Sequence, residues 1–294
     1  MIPRTVKSVP VEEIVNFDEQ IDLFRKMLAD PAERRLMFIR AAGGRGKTCL
    51  LRLMRHYCEE QGVPSCRVDF RGEPYDSPHL TLARRMCQEL RLSPRHLAEA
   101  LWPLSAHAFG AQDVSVRIEG DVTSSNIITT GGDVYQCEQV VIHVSPTNES
   151  LRQPYIRNHL RQAFGADLSE LAAAKGRVVC FFDSLEDISS EEEGWLVEAL
   201  LCPTAEGELK YVIVVTAGRR WPSELEEWDW EDHAHLVSKL PLMDKQQVKE
   251  FASRVGYEIT EAELEFCWRA CQGGKPLYMG MVVKNLRAMM GVRP

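Results

Sequence analysis

Lys47 and Thr48 follow three glycines packed into positions 43–46, inside the stretch IRAAGGRGKTCLLRL (39–53). Glycine is entropically costly to order, so such a cluster marks a backbone that turns tightly or lies close to a ligand. The pattern GxxxxGK[ST] is met at Gly46, Lys47 and Thr48, with Ala41 where the first glycine would stand. Gly43 and Gly44 are spare glycines that can absorb this departure. A strand before this pattern and a helix directly after it would make a phosphate-binding loop. The amides of Ala42, Gly43, Gly44, Arg45, Gly46, Lys47, Thr48 and Cys49 would then curl around a polyphosphate, aided by the partial positive charge of the helix N-terminus. Lys47 would reach the β/γ-phosphates as a point charge, and Thr48 would give a hydroxyl ligand to Mg²⁺. The plain alternative is a glycine-rich turn before a helix, with a lysine facing solvent.

A magnesium-bound triphosphate needs an acid at the end of a neighbouring strand. RVVCFFDSLED (177–187) supplies Asp183 after five apolar residues, then Glu186 and Asp187. Asp183 is read as the Mg²⁺ carboxylate and Glu186 as the base that orients and activates water, with Asp187 its rival. The alternative is an ordinary acidic loop after a strand. A third run, KYVIVVTAGRRWP (210–222), places Thr216 near a strand end and Arg219 or Arg220 just beyond it. Thr216 could touch the γ-phosphate or the attacking water, and the arginine could sense the γ-phosphate, since ligands of open α/β sheets sit at that edge. Two solvated arginines in a loop would look the same in sequence.

These residues need strands and helices to position them, and the order of elements provides both. RLMFI (35–39) is a short apolar run that reads as a strand ending at the glycines. Leu50, Leu51, Met54 and Tyr57 recur at helical spacing up to Gly62. SCRVDF (65–70) reads as a strand and residues 77–90 as a helix with Pro78 just inside its start. PYIRNHLRQAF and DLSELAAA read as helical stretches, 177–183 and 210–218 as strands, GWLVEALL as a short helix and 234–240 as a fifth strand. Continuous apolar strands alternating with helices predict a parallel sheet covered on both faces. The segment 113–144 differs: Val114, Val116 and Ile118, then Val140, Ile142 and Val144, alternate with polar residues around Gly120 and Gly131–Gly132, which predicts antiparallel β-structure. Beyond Asp244 the pattern is helical.

The expected fold is therefore α/β: a P-loop NTPase with a parallel sheet sandwiched by helices, a β-rich insertion and a C-terminal helical lid subdomain. The expected divisions are an N-terminal segment and helix (1–34), the core (35–240) with its insertion (113–144), and the lid (241–294). Length fits this: 294 residues bury a sizeable core. The net charge of −8 argues against extended nucleic-acid binding. Nine cysteines without a CxxC pair indicate reduced, mostly buried thiols. The apolar runs are far shorter than the about 18 residues of a membrane span. A soluble, cytoplasmic chain follows. His233 and His235 suggest no metal, and Trp221, Trp228 and Trp230 are either a contact surface or a loop folded on the lid.

Together GGRGKT, FFDSLED, VVTAGRR and QGGKPLYM resemble the STAND class of P-loop NTPases, relatives of the NACHT and NB-ARC switches and of the AAA+ proteins. The resemblance spans roughly 12–290 apart from the insertion. It implies that Gly274-Lys275-Pro276 opens a lid helix, with Pro276 near the adenine base. VNFDEQIDLFRKML (15–28) resembles the family's leading helix, with Glu19-Gln20 where the family has an arginine. The family implies an ATP/ADP switch with Mg²⁺, slow hydrolysis and nucleotide-dependent homo-oligomers in bacterial signalling or anti-phage defence. No effector or sensor segment is visible, so separately encoded partners, or further parts of a longer chain, would supply them. Two other readings stay open: a non-hydrolysing nucleotide-bound scaffold that assembles through the insertion, and an AAA+-type DNA-linked ATPase.

Overall fold

The structure is a computed structural model. It describes residues 10, 14–71, 78–100, 114–118, 127–130, 133–136, 140–144, 154–222, 230–271 and 283. In chain order the elements are α1 (Asp18–Ala29), β1 (Leu36–Arg40), α2 (Lys47–Glu60), β2 (Ser65–Asp69), α3 (Pro78–Leu90), β3 (Val114–Ile118) and β4 (Ile127–Thr130). Then come β5 (Asp133–Gln136), β6 (Val140–Val144), α4 (Pro154–Lys175), β7 (Val178–Asp183), α5 (Ser190–Leu196), β8 (Val212–Gly218), β9 (Ala234–Val237), α6 (Lys245–Arg254) and α7 (Glu261–Ala270).

Five strands form one parallel sheet in the order β2-β7-β8-β1-β9. Burial along each strand follows its place. Every residue of β7 and β8 is buried, whereas edge strand β2 alternates between half-exposed and buried positions and edge strand β9 is buried only at Ala234. A strand covered on both faces must be apolar throughout, which is why VVCFF and VIVV run without a break.

The chain divides into two compact units, one made of Met1–Val63, Phe181–Asp187 and Val215–Pro294, the other of Pro64–Cys180 and Ile188–Val214. In the first, Phe24 of α1 meets Phe181 with ring centroids 5.8 Å apart, and Trp230 meets Phe38 of β1 edge-on at 5.4 Å. Trp230 is thus a core residue, neither a contact surface nor part of a lid-facing loop. Trp221 lies under the Arg40 guanidinium at 4.6 Å, and Trp228 falls outside the described residues. Met243, Val248, Phe251, Leu264 and Cys267 join Val15 in a core of their own. Both of its helices begin with capping boxes, Asp244 with Gln247 and Thr260 with Glu263. His235 bonds Glu33 at 3.1 Å.

In the second unit, α4 is one helix of 22 residues where two helical stretches were expected. Gly165 sits inside it without breaking it: a Cβ there would be in ordinary contact with Leu209 Cδ2 at 3.9 Å. Phe164 packs on Trp195 at 5.3 Å. Asp167 accepts the backbone N–H groups of His96 and Leu97 at 2.8 and 2.9 Å, starting a helical turn at residue 95. The insertion is antiparallel as its alternation predicts. β3 pairs with β6, Val114 opposite Val144, and β4 pairs with β5, Ile127 opposite Gln136, one ribbon nested within the other in sequence. None of the eight described cysteines forms a disulfide, and burial pushes the thiols of Cys58 and Cys87 up to about 12, which keeps them inert. No helix among the described residues is long and apolar enough to cross a membrane.

Candidate functional site

The glycine-rich loop leaves β1 and enters α2 in the expected strand–loop–helix order. Gly44 and Gly46 adopt φ of 78° and 89°, a region that costs other residues strain. Ala41 needs no such freedom: its φ is not positive, and its N–H reaches Gly218 O at 3.1 Å, tying the loop to the end of β8. Gly46 is the N-cap of α2 and offers no side-chain cap, and the first turn of α2 carries no acid. The helices α1, α5 and α7 all place acids in their first turn. α2 shares an acid-free first turn with α3, α4 and α6, but unlike α6, which Asp244 caps, it has no side-chain cap, so its first amides can accept an anion.

Lys47 does not face solvent. It is 9% exposed, and its Nζ donates to Ala41 O at 2.7 Å and to Ala42 O at 3.3 Å. The ammonium is therefore held within the loop. Ala42 and Gly43 are exposed, while Gly44, Arg45, Gly46, Thr48 and Cys49 are half-exposed.

Asp183 is the last residue of β7 and Thr216 lies two residues before the end of β8, each 1% exposed. β8 runs between β1 and β7, so these polar groups share the sheet end that carries the loop. After Asp183 the chain turns sharply. Ser184 has φ 62°, a left-handed conformation rare outside glycine, and Asp187 N–H closes a 3₁₀ turn onto Ser184 O at 2.9 Å. The turn leaves Asp187 exposed and Glu186 half-buried. Glu186 Oε2 accepts the Arg219 backbone N–H at 2.8 Å, and Oε1 lies 3.0 Å from Arg219 Nε. Of the two arginines, Arg219 is thus the one joined to this turn, whereas Arg220 donates to Trp221 O at 3.1 Å.

Two residues escaped the sequence reading. Ser184 carries the strained turn, and Gly218 makes room for it: a Cβ at 218 would fall 2.8 Å from Leu185 Cβ. The available signal was a glycine ending an apolar strand. At the other end, Asn16 and Phe17 are consecutive left-handed residues, and Asn16 Nδ2 and Gln20 Oε1 are buried without hydrogen-bond partners. Pro276 falls outside the described residues.

No protein-family model and no curated protein matches the chain. Solved structures do. A Walker-type ATPase of Pyrococcus abyssi superposes with a TM-score of 0.53 at 16% identity, over 94% of this chain and 69% of that one. The ORC2 protein of Aeropyrum pernix, in its ADP form, superposes with a TM-score of 0.50 at 12% identity, over 98% and 67%. The fold is that of the P-loop ATPases.

The donors present suit the metal such a loop would use. Thr48 offers a hydroxyl and Asp183 a carboxylate, hard oxygen donors of the kind Mg²⁺ takes alongside phosphate oxygens and water. Among the described residues no group of three or more His, Cys, Asp or Glu forms a metal cage.

Proposed function

We propose that the chain is an ATP-binding switch of the STAND type, binding ATP with Mg²⁺ and hydrolysing it slowly. One observation carries the reading: the Lys47 ammonium is buried in a glycine loop at an acid-free helix start. The amides of residues 42–49 hold the phosphates, Lys47 neutralises the β/γ oxygens, and Thr48 and Asp183 hold the cation, which offsets developing charge. Glu186 takes the proton of the attacking water, while Thr216 and Arg219 lie toward the γ-phosphate. Residues 35–240 form the core with its 113–144 insertion, 1–34 lead into it, and 241–294 act as the lid, with Pro276 near the base. Only a triphosphate presents a group to Arg219 as well as to the loop, so the states of the switch differ by γ-phosphate contacts. Homo-oligomers and separately encoded effectors or sensors, in a bacterial cytoplasm, complete the reading.

Calorimetry with Mg–ATP tests it. Lys47→Ala weakens binding by about 10- to 100-fold, the factor carried by a charged hydrogen bond of about 1.5–3 kcal/mol. Phosphate release separates switch from scaffold: Glu186→Gln slows it about 100-fold if Glu186 is the base. No turnover in either protein, with binding intact, favours the non-hydrolysing scaffold.

A further inference from the structure

Both carboxylate oxygens of Glu186 are engaged by one residue, but the two contacts differ in permanence. The Arg219 backbone N–H, 2.8 Å from Oε2, belongs to the residue directly after β8. Gly218 presses that end against the turn, so closely that a Cβ there would stand 3.3 Å from Glu186 Oε2. This bond is part of the fold. The second contact, Nε to Oε1 at 3.0 Å, comes from a side chain 65% exposed, against 22% for Glu186. An ion pair so open to water is weak and exchanges readily.

The same guanidinium reaches the phosphate loop. Its Nη2 lies 3.4 Å, and its Cζ 3.6 Å, from the position a Cβ on Gly43 would take. Arg219 therefore spans the loop and the candidate base. A guanidinium fork suits carboxylate and phosphoryl oxygens equally well, and its Nε edge can serve one of them at a time. While Nε occupies Oε1, one acceptor site of that oxygen is taken by the guanidinium and its negative charge is partly neutralised.

We propose that Arg219 is a clasp shared between Glu186 and the terminal phosphate of a bound nucleoside triphosphate. Without that phosphate Arg219 holds Glu186; with it, Arg219 turns to the phosphoryl oxygens and Oε1 is released, while the backbone N–H keeps Oε2 in place. The inference rests on the triphosphate reading above. Glu186 is then free only when there is something to cleave. The oxygen of water bonds the γ-phosphorus, its proton passes to Glu186 Oε1, and the bond from γ-phosphorus to the bridging oxygen breaks, its electron pair leaving on the diphosphate. A diphosphate offers no competing group, so Glu186 returns to the clasp after release.

Carboxyl footprinting with a water-soluble carbodiimide and glycine ethyl ester, read by mass spectrometry, reports on Oε1 directly. Exposed Asp187 serves as the internal reference. The expected result is a several-fold rise in Glu186 labelling relative to Asp187 with Mg–AMPPCP and none with Mg–ADP. Arg219→Gln should label Glu186 at the high level in every state. Calorimetry on the same samples separates the two layers of the argument. If AMPPCP binds but the labelling ratio stays flat or falls, the clasp is wrong and the nucleotide reading stands. If neither nucleotide binds, both are overturned.

Discussion

Glu186 and Glu263 are both glutamates whose carboxylates are fully engaged, yet they sit in regions built on opposite principles. Glu263 accepts from Tyr257 OH at 2.7 Å, Thr260 N–H at 2.8 Å and Thr260 Oγ1 at 2.7 Å, all within six residues of itself. It closes a helix start with near neighbours in regular conformations. Glu186 depends on Arg219, 33 residues away, across a turn where Ser184 is left-handed and Gly218 leaves no room for a methyl group. Local satisfaction gives a stable cap. Satisfaction by a distant, exposed guanidinium on strained backbone gives a contact that a ligand can compete for, and strain of this kind concentrates where function needs it.

The largest effect that would break this contrast comes from Gly218→Ala. The new methyl would meet Leu185 Cβ at 2.8 Å, a backbone-anchored atom that cannot swing aside. Overpacking of this sort costs about 2 kcal/mol. Chemical denaturation should show that loss, and phosphate release should fall with it because the turn carrying Glu186 is displaced. A variant as stable and active as the wild type would mean that the strand end has slack, and the site would then be no tighter than the cap.

The same contrast explains what the sequence made legible. Strands β7 and β8 could be read because burial on both faces demands an unbroken apolar run, and α2 because its apolar period follows directly from Lys47. The antiparallel ribbons of the insertion followed from alternation alone. Arg219 and Glu186 could each be picked out as charges beyond strand ends. Their pairing was invisible, since no local pattern links residues in different loops of a sheet. Trp230 misled for a similar reason: its acidic neighbours suggest surface, while its ring is claimed by Phe38 of β1. In α4 two helical stretches read separately in sequence form one helix that runs through Gly165. Propensity yields wherever tertiary contacts outweigh it.

A smaller effect sharpens the other side of the comparison. Thr260→Ala removes a side chain that accepts the Glu263 amide N–H at 3.3 Å and donates to its carboxylate. Loss of an N-cap costs about 1 kcal/mol. Thermal melting should register that cost, while Mg–ATP affinity measured by calorimetry stays at the wild-type value. A matching loss of nucleotide affinity would show that the helical region and the phosphate loop are energetically one system.

The smallest effect is one of pH. Hydrogen bonding from Tyr257 OH, then from the Thr260 amide and hydroxyl, holds the Glu263 carboxyl below its ordinary range. The same bond pushes the Tyr257 phenol up to about 12. A carboxyl lowered on folding adds stability that is complete above its unfolded pKa and disappears as pH falls through the lowered one. The melting-temperature gap between wild type and Glu263→Gln should therefore be steady from about pH 7 down to pH 5 and close at more acid pH, where the unfolded carboxylate, near pKa 4.3, also titrates. Glu263 keeps contact with water, so the gap is about one or two degrees rather than a collapse of the fold. A gap that widens on acidification would mean that the protonated carboxyl is the better partner for Tyr257, reversing the sense in which this cap is built.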